Sequence, residues 1–290
     1  MMTTINEITC NEKPQCCVGC GDFSVLMGVK TALAELGLPQ HETVLVSGIG
    51  CCSKSPHYVN TYGFESLHGR SLPVASAIKL ANNKLSVIAI SGDGDGYGIG
   101  VQHFIHIGRR NFDLTYIVCD NQLYGLTTGQ ASPTTIKGVK SKSTPHGVIE
   151  TQFNPIASAI VNGATYVARA YAGDLKHMTE IIKGAITHRG FALVDIFQPC
   201  VTFNKLNTYQ WFQERVYKLE DSGHKTDDKL AALTKAWEET NSEYKKVPIG
   251  VFYKENRPTY EDELPQLKEK PLVQHDISKV DISKAYAEFE

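Results

Sequence analysis

The sequence predicts an α/β protein with a mostly parallel sheet flanked by helices, on three observations. Short apolar runs of strand length alternate with segments of helical period. Most of these runs are rich in β-branched residues, as strands favour. A glycine-rich turn follows the second run and leads into a helix, which is where open α/β sheets place ligands.

Strands are expected at 43–47, 85–91, 114–119, 166–170 and 192–197, with a shorter one at 249–253. Between them, helices are expected at 73–81, 98–109, 155–162 and 174–188, with a more exposed one at 227–245. An earlier helix at 22–36 has Asp22 placed to cap it and Gly37 placed to end it. Residues 124–154 hold Gly, Pro, Ser and Thr without periodicity, and so long a loop points to function. The main domain is expected to span 1–254, and 255–290 reads as a charged arm lying on a partner.

The chain has 290 residues, 42% apolar and 21% charged, enough to bury a core without staples. Its 29 basic and 31 acidic side chains nearly balance, which argues against a nucleic-acid partner. No apolar run reaches membrane-spanning length, and residues 1–14 lack the apolar core of a secretory signal. A cytoplasmic protein is therefore expected. In a reducing compartment its eight cysteines read as metal ligands or catalytic thiols rather than disulfides.

The run from Val87 to Gly100 passes from a buried strand into alternating glycines and aspartates. Glycine lets backbone approach a ligand, and a helix N-terminus favours phosphate. The glycines never satisfy a dinucleotide fingerprint, and no Gly-Lys-Ser/Thr follows. Asp93 and Asp95 would repel a bare pyrophosphate, and a carboxylate beside a phosphate cradle makes sense when a hard divalent cation such as Mg²⁺ bridges the two. Asn121, also at a strand end, offers a second oxygen. A turn shaped by packing alone is the competing reading, and this pairing of Asp93 with Asn121 disfavours it.

Cys17-Val-Gly-Cys20 is a CxxC, while Cys51 and Cys200 each follow a strand, so four thiolates can converge at one sheet edge. Spacing alone leaves zinc and iron–sulfur both open. Cys10 and Cys119 read equally well as small buried residues.

Taken in order, CxGCG, SGIGC with a nearby PH, LHGR at 67–70, GDGD, GRRN at 108–111, DNxxYGLTxGQxSPT at 120–134, and QPC form one pattern. It resembles the β subunit of 2-oxoacid:ferredoxin oxidoreductases over residues from about 15 to 253. The resemblance implies a thiamine-diphosphate-binding fold, with Asp93, Asn121 and the backbone oxygen of Leu123 holding Mg²⁺. It implies cofactor contacts from Ile49, Gly50, Cys51, Cys52, His68, Gly94, Asp95, Gly125 and Leu126. Cys17, Cys20, Cys51 and Cys200 would ligate one 4Fe–4S cluster, and Lys54 would pair the substrate carboxylate.

The implied reaction is oxidative decarboxylation of a 2-oxoacid with coenzyme A to acyl-CoA and CO₂. Ferredoxin takes the electrons, and an α subunit completes the enzyme. Two departures stand out. Cys16 replaces an aromatic common in the family, and Thr128 stands where the family often has Lys. A hydroxyl at 128 cannot neutralise a second carboxylate, which leads us to expect pyruvate or 2-oxobutyrate over 2-oxoglutarate. A non-redox thiamine enzyme and a zinc-stapled binding protein are the rival readings.

Overall fold

The computed structural model describes residues 4–278 and 280–289. All six predicted strands form: β1 (Thr43–Ser47), β3 (Ser86–Gly92), β4 (Leu114–Asp120), β5 (Tyr166–Tyr171), β6 (Phe191–Phe197) and β8 (Val247–Lys254). Two shorter strands join them, β2 (Tyr62–Glu65) and β7 (Val216–Lys218). They make one sheet in the order β2-β1-β3-β4-β6-β5-β8-β7. Every pairing is parallel except that of β8 with β5.

Helices cover both faces, as strands apolar on both sides require. Ser71–Ala81, Val101–Arg110, Pro155–Val161 and Lys229–Ala236 pack on one face through Leu72, Phe104, Ile156 and Ala232. Asp22–Glu35 and Leu175–Thr187 pack on the other through Val29, Leu33, Met178 and Ile182. Each large apolar side chain so buried contributes roughly 1.5–3 kcal/mol.

Some boundaries differ from expectation for physical reasons. Gly21, not Asp22, is the N-cap of the first long helix. The Gly21 N–H donates to the Pro199 carbonyl, which starts the helix one residue early and leaves Asp22 buried in its first turn. The helix expected at 227–245 breaks after Ala236, and Ala232, Ala236 and Glu239 are buried rather than exposed. The segment expected as an arm from 255 first packs on this chain's own body. Asn111 Nδ2 donates to the carbonyls of Arg257 and Pro258, Tyr260 stacks on Phe112 and Leu267 is buried. The described residues from 272 onward are exposed.

Register sets the site. Ser47 pairs with Ile90, Gly92 with Cys119, and Asp120 with Phe197. The carboxyl ends of β1, β3, β4 and β6 therefore finish along one edge. Behind that edge, Arg169 of β5 lies opposite Asp195 of β6. Its Nε donates to Asp195 at 2.8 Å and its Nη1 to Glu239 at 2.7 Å, with the guanidinium over the Phe197 ring. Tyr97, in the turn after β3, donates its hydroxyl to the other Asp195 oxygen.

Arg169→Met would strand two buried carboxylates. We expect it to lower stability by about 3–5 kcal/mol in urea unfolding. A loss within the roughly 0.5 kcal/mol typical of surface substitutions would contradict the role given to this network.

Candidate functional site

After Gly92 the chain enters a π-helical turn, Gly94–Ile99, closed by the Gly100 N–H on the Asp95 carbonyl. Such turns are rare and recur at functional sites. Asp93 at its start is buried, and its Oδ2 accepts from Ser132 Oγ at 2.5 Å and Thr134 Oγ1 at 2.7 Å. Burial pushes the carboxyl up to about 6 even though those hydroxyls pull it down. A carboxylate held this deep by neutral donors is suited to a divalent cation.

Asn121 follows β4. Gln122 then takes a left-handed conformation, φ 61°, which turns the Leu123 N–H onto Asn121 Oδ1 at 3.2 Å. The Leu123 carbonyl accepts no hydrogen bond among the described residues. Asp93, Asn121 and Leu123 thus line one cleft, where a carboxylate, an amide oxygen and a backbone carbonyl are the oxygen donors they have to offer. The donor set suits Mg²⁺, a hard cation.

Asp95 organises the opposite wall. Its Oδ1 accepts from the Ile49 N–H, the Gly69 N–H and His68 Nδ1, the last at 2.6 Å. Donation from Nδ1 leaves Nε2 of the neutral ring as the acceptor. Oδ2 is buried without a partner and lies so near Gly48 that a Cβ there would sit 1.8 Å away. Glycine is equally required at 94, where a Cβ would fall 2.2 Å from the Tyr124 ring.

The cleft is also lined by Ile49, Gly50, Cys51, Cys52, His68, Gly94, Asp95, Gly125 and Leu126. Every residue expected to touch the cofactor therefore faces the same space. A second cavity adjoins it, lined by Cys16, Cys17, Cys20, Cys51 and Cys200. Cys51, Asn121, Gly125 and Leu126 line both. Burial pushes the Cys16 and Cys51 thiols up to about 12 and Cys20 higher still. Cys52 lines the cleft but not the cysteine cavity, and it also packs against the core, its thiol pushed well up by its hydrogen bond with Cys119 and by burial.

Lys54 lines the cysteine cavity rather than the cleft. Thr128 is exposed at φ 78°, and Thr127 is the neighbour that faces the cleft. The charge argument built on Thr128 therefore has no footing in the cleft. Sequence reasoning also passed over Ser132, Thr134, Tyr124 and Gln198 as functional residues. All four stand inside the motifs already quoted, so their positions were marked although their roles were not.

A family model described as the C-terminal TPP-binding domain of thiamine pyrophosphate enzymes matches residues 48–196. Another, described as the C-terminal part of the pyruvate ferredoxin oxidoreductase beta subunit, matches 200–269. The chain is 47% identical to 2-oxoacid:ferredoxin oxidoreductase 1, subunit beta, of Aeropyrum pernix, over 86% of this chain and 81% of that protein. It is 48% identical to the 2-oxoacid:ferredoxin oxidoreductase subunit beta of Saccharolobus solfataricus, over 86% of this chain and 84% of that protein. It superposes with a TM-score of 0.90 on 2-oxoglutarate:ferredoxin oxidoreductase from Magnetococcus marinus, solved with 2-oxoglutarate, coenzyme A and succinyl-CoA bound. That match is 38% identical and covers 99% of this chain and 96% of the other.

If the three cleft oxygens hold a divalent cation, Asp93→Ala abolishes cation-dependent binding of thiamine diphosphate with the far-UV spectrum unchanged. Unaltered affinity in calorimetric titration would remove Asp93 from the site.

Proposed function

The chain belongs to the 2-oxoacid:ferredoxin oxidoreductase family as a β subunit, and on that premise we propose that it oxidatively decarboxylates a 2-oxoacid in the cytoplasm together with an α subunit. Coenzyme A accepts the acyl group, CO₂ leaves, and ferredoxin takes the electrons. The observation that supports this most is the shared wall. Cys51, Asn121, Gly125 and Leu126 face both the thiamine cleft and the cysteine cavity, so the two centres lie one residue layer apart.

When bound, thiamine diphosphate supplies the carbon nucleophile and electron sink, and a 4Fe–4S cluster supplies one-electron transfer. Asp93, Asn121 Oδ1 and the Leu123 carbonyl hold Mg²⁺ against the diphosphate. His68, fixed by Asp95 through Nδ1, keeps Nε2 free to accept a proton in the cleft. Lys54 is assigned to the carboxylate shared by all 2-oxoacids, although it lines the cysteine cavity and not the cleft, so its ammonium has to reach across the shared wall. Cys17, Cys20, Cys51 and Cys200 ligate the cluster. Among the described residues no glutamate lines the cleft, and the α subunit supplies the one that faces the aminopyrimidine, so this chain alone does not turn over. The exposed residues from 272 onward are assigned to that partner.

Among the described residues no helix is long and apolar enough to cross a membrane. Purified anaerobically with its α subunit, the protein is expected to reduce ferredoxin only when a 2-oxoacid and coenzyme A are both present. Single Ser substitutions at Cys17, Cys20, Cys51 or Cys200 should bleach the visible iron–sulfur band, while those at Cys10 and Cys119 should not. A colourless wild-type protein containing zinc contradicts the assignment. Bleaching by Cys52→Ser but not Cys51→Ser moves the ligand by one residue.

A further inference from the structure

Gln198 follows β6 and is fully buried. Its backbone N–H donates to the Asp120 carbonyl at 2.9 Å, which fixes the residue to the end of β4. Its side-chain amide touches Cys20, which lines the cysteine cavity, and Asn121, which lines both cavities. Nε2 lies 3.1 Å from the Pro199 carbonyl and 3.2 Å from Cys20 Sγ, and Oε1 lies 3.1 Å from Asn121 Nδ2.

The orientation of both amides follows from two groups that have only one role. The Pro199 carbonyl can only accept, so the NH₂ end of Gln198 must face it and, beside it, Cys20. The oxygen end then faces Asn121, which must present its own NH₂ group. At the far side of Asn121, the Leu123 N–H can only donate, so Oδ1 is the atom turned that way. The Gln198 side chain and the Leu123 N–H together thereby fix, from opposite ends of the amide, which atom of Asn121 is available to a cation. It also places an N–H against a sulfur of the cysteine cavity.

We propose that Gln198 is a positioning residue serving both centres: it orients Asn121 Oδ1 toward the metal of the cofactor and donates a hydrogen bond to the cluster ligand Cys20. The inference rests on the proposed cofactor and cluster sites. Partners that orient metal ligands typically change metal affinity by about 10–100-fold. An N–H on a ligating sulfur favours the reduced cluster, because it stabilises the added negative charge.

Gln198→Met keeps length and volume but removes both polar ends. In the complex with the α subunit, it is expected to lower Mg²⁺-dependent thiamine diphosphate affinity by roughly 10–100-fold. The cluster midpoint potential, read by EPR-monitored redox titration, is expected to move negative with iron content unchanged. Gln198→Glu keeps an acceptor for Asn121 and removes the N–H at Cys20, so the potential should fall while cofactor affinity stays near that of wild type. An unchanged potential in both variants, with an intact cluster signal, overturns the proposal and leaves the cluster reading standing. A wild-type complex without any cluster signal overturns both.

A measurement without substitution at 198 guards against variants that do not fold. Gln15 also lines the cavity, so a Gln15→Met complex labelled with ¹⁵N in glutamine side chains isolates the signal. Hyperfine spectroscopy of its reduced cluster should show a ¹⁵N coupling, and its absence overturns the proposal.

Discussion

The parallel register of β1, β3, β4 and β6 is the constraint on which the rest depends, because it brings four strand ends to one edge of the sheet. The acids gathered there are expensive to bury. Thr134 Oγ1 lies 2.7 Å from Asp93 and 2.8 Å from Asp120 yet carries one proton, so both contacts are hydrogen bonds only if one of these acids is protonated. Burial and the nearby Asp195 push Asp120 well above the usual carboxylate range, and burial raises Asp93 as well. Arg169 and Tyr97 hold Asp195 in place behind this pair.

The same edge explains why two unlike centres can share one chain. Oxygen donors follow β3 and β4, whereas the cysteines come from the N-terminal CxxC turn and from the loops after β1 and β6. Hard oxygen donors suit Mg²⁺ and soft thiolates suit zinc or iron, so the two proposed centres differ in the metal that their donors favour. Cys51 stands on the boundary, lining both cavities.

Much of this was legible in the sequence because burial on both faces writes itself as continuous apolar runs. β1 matches its predicted bounds, and the other long strands differ from theirs by one or two residues at an end. β2 escaped notice because all four of its residues are exposed, so no apolar pattern marks it. β7 has three half-buried residues, too short a run for periodicity to register. The cleft residues were legible because Gly-Asp-Gly and Asn121 are tied to strand ends. Gln198 was not, because its importance lies in contacts with residues 20 and 121, far away in sequence. Thr128 misled for the opposite reason: its position in a motif does not reveal which way a left-handed residue points.

On the proposed function, electrons pass from the thiamine cleft to a cluster in the adjoining cysteine cavity. Single-turnover EPR on the anaerobic complex, with a 2-oxoacid added in the absence of ferredoxin, reads that transfer. A reduced 4Fe–4S signal is expected only when thiamine diphosphate and Mg²⁺ are present. Substrate consumed by the cofactor-loaded complex with the cluster left oxidised would rule the transfer out.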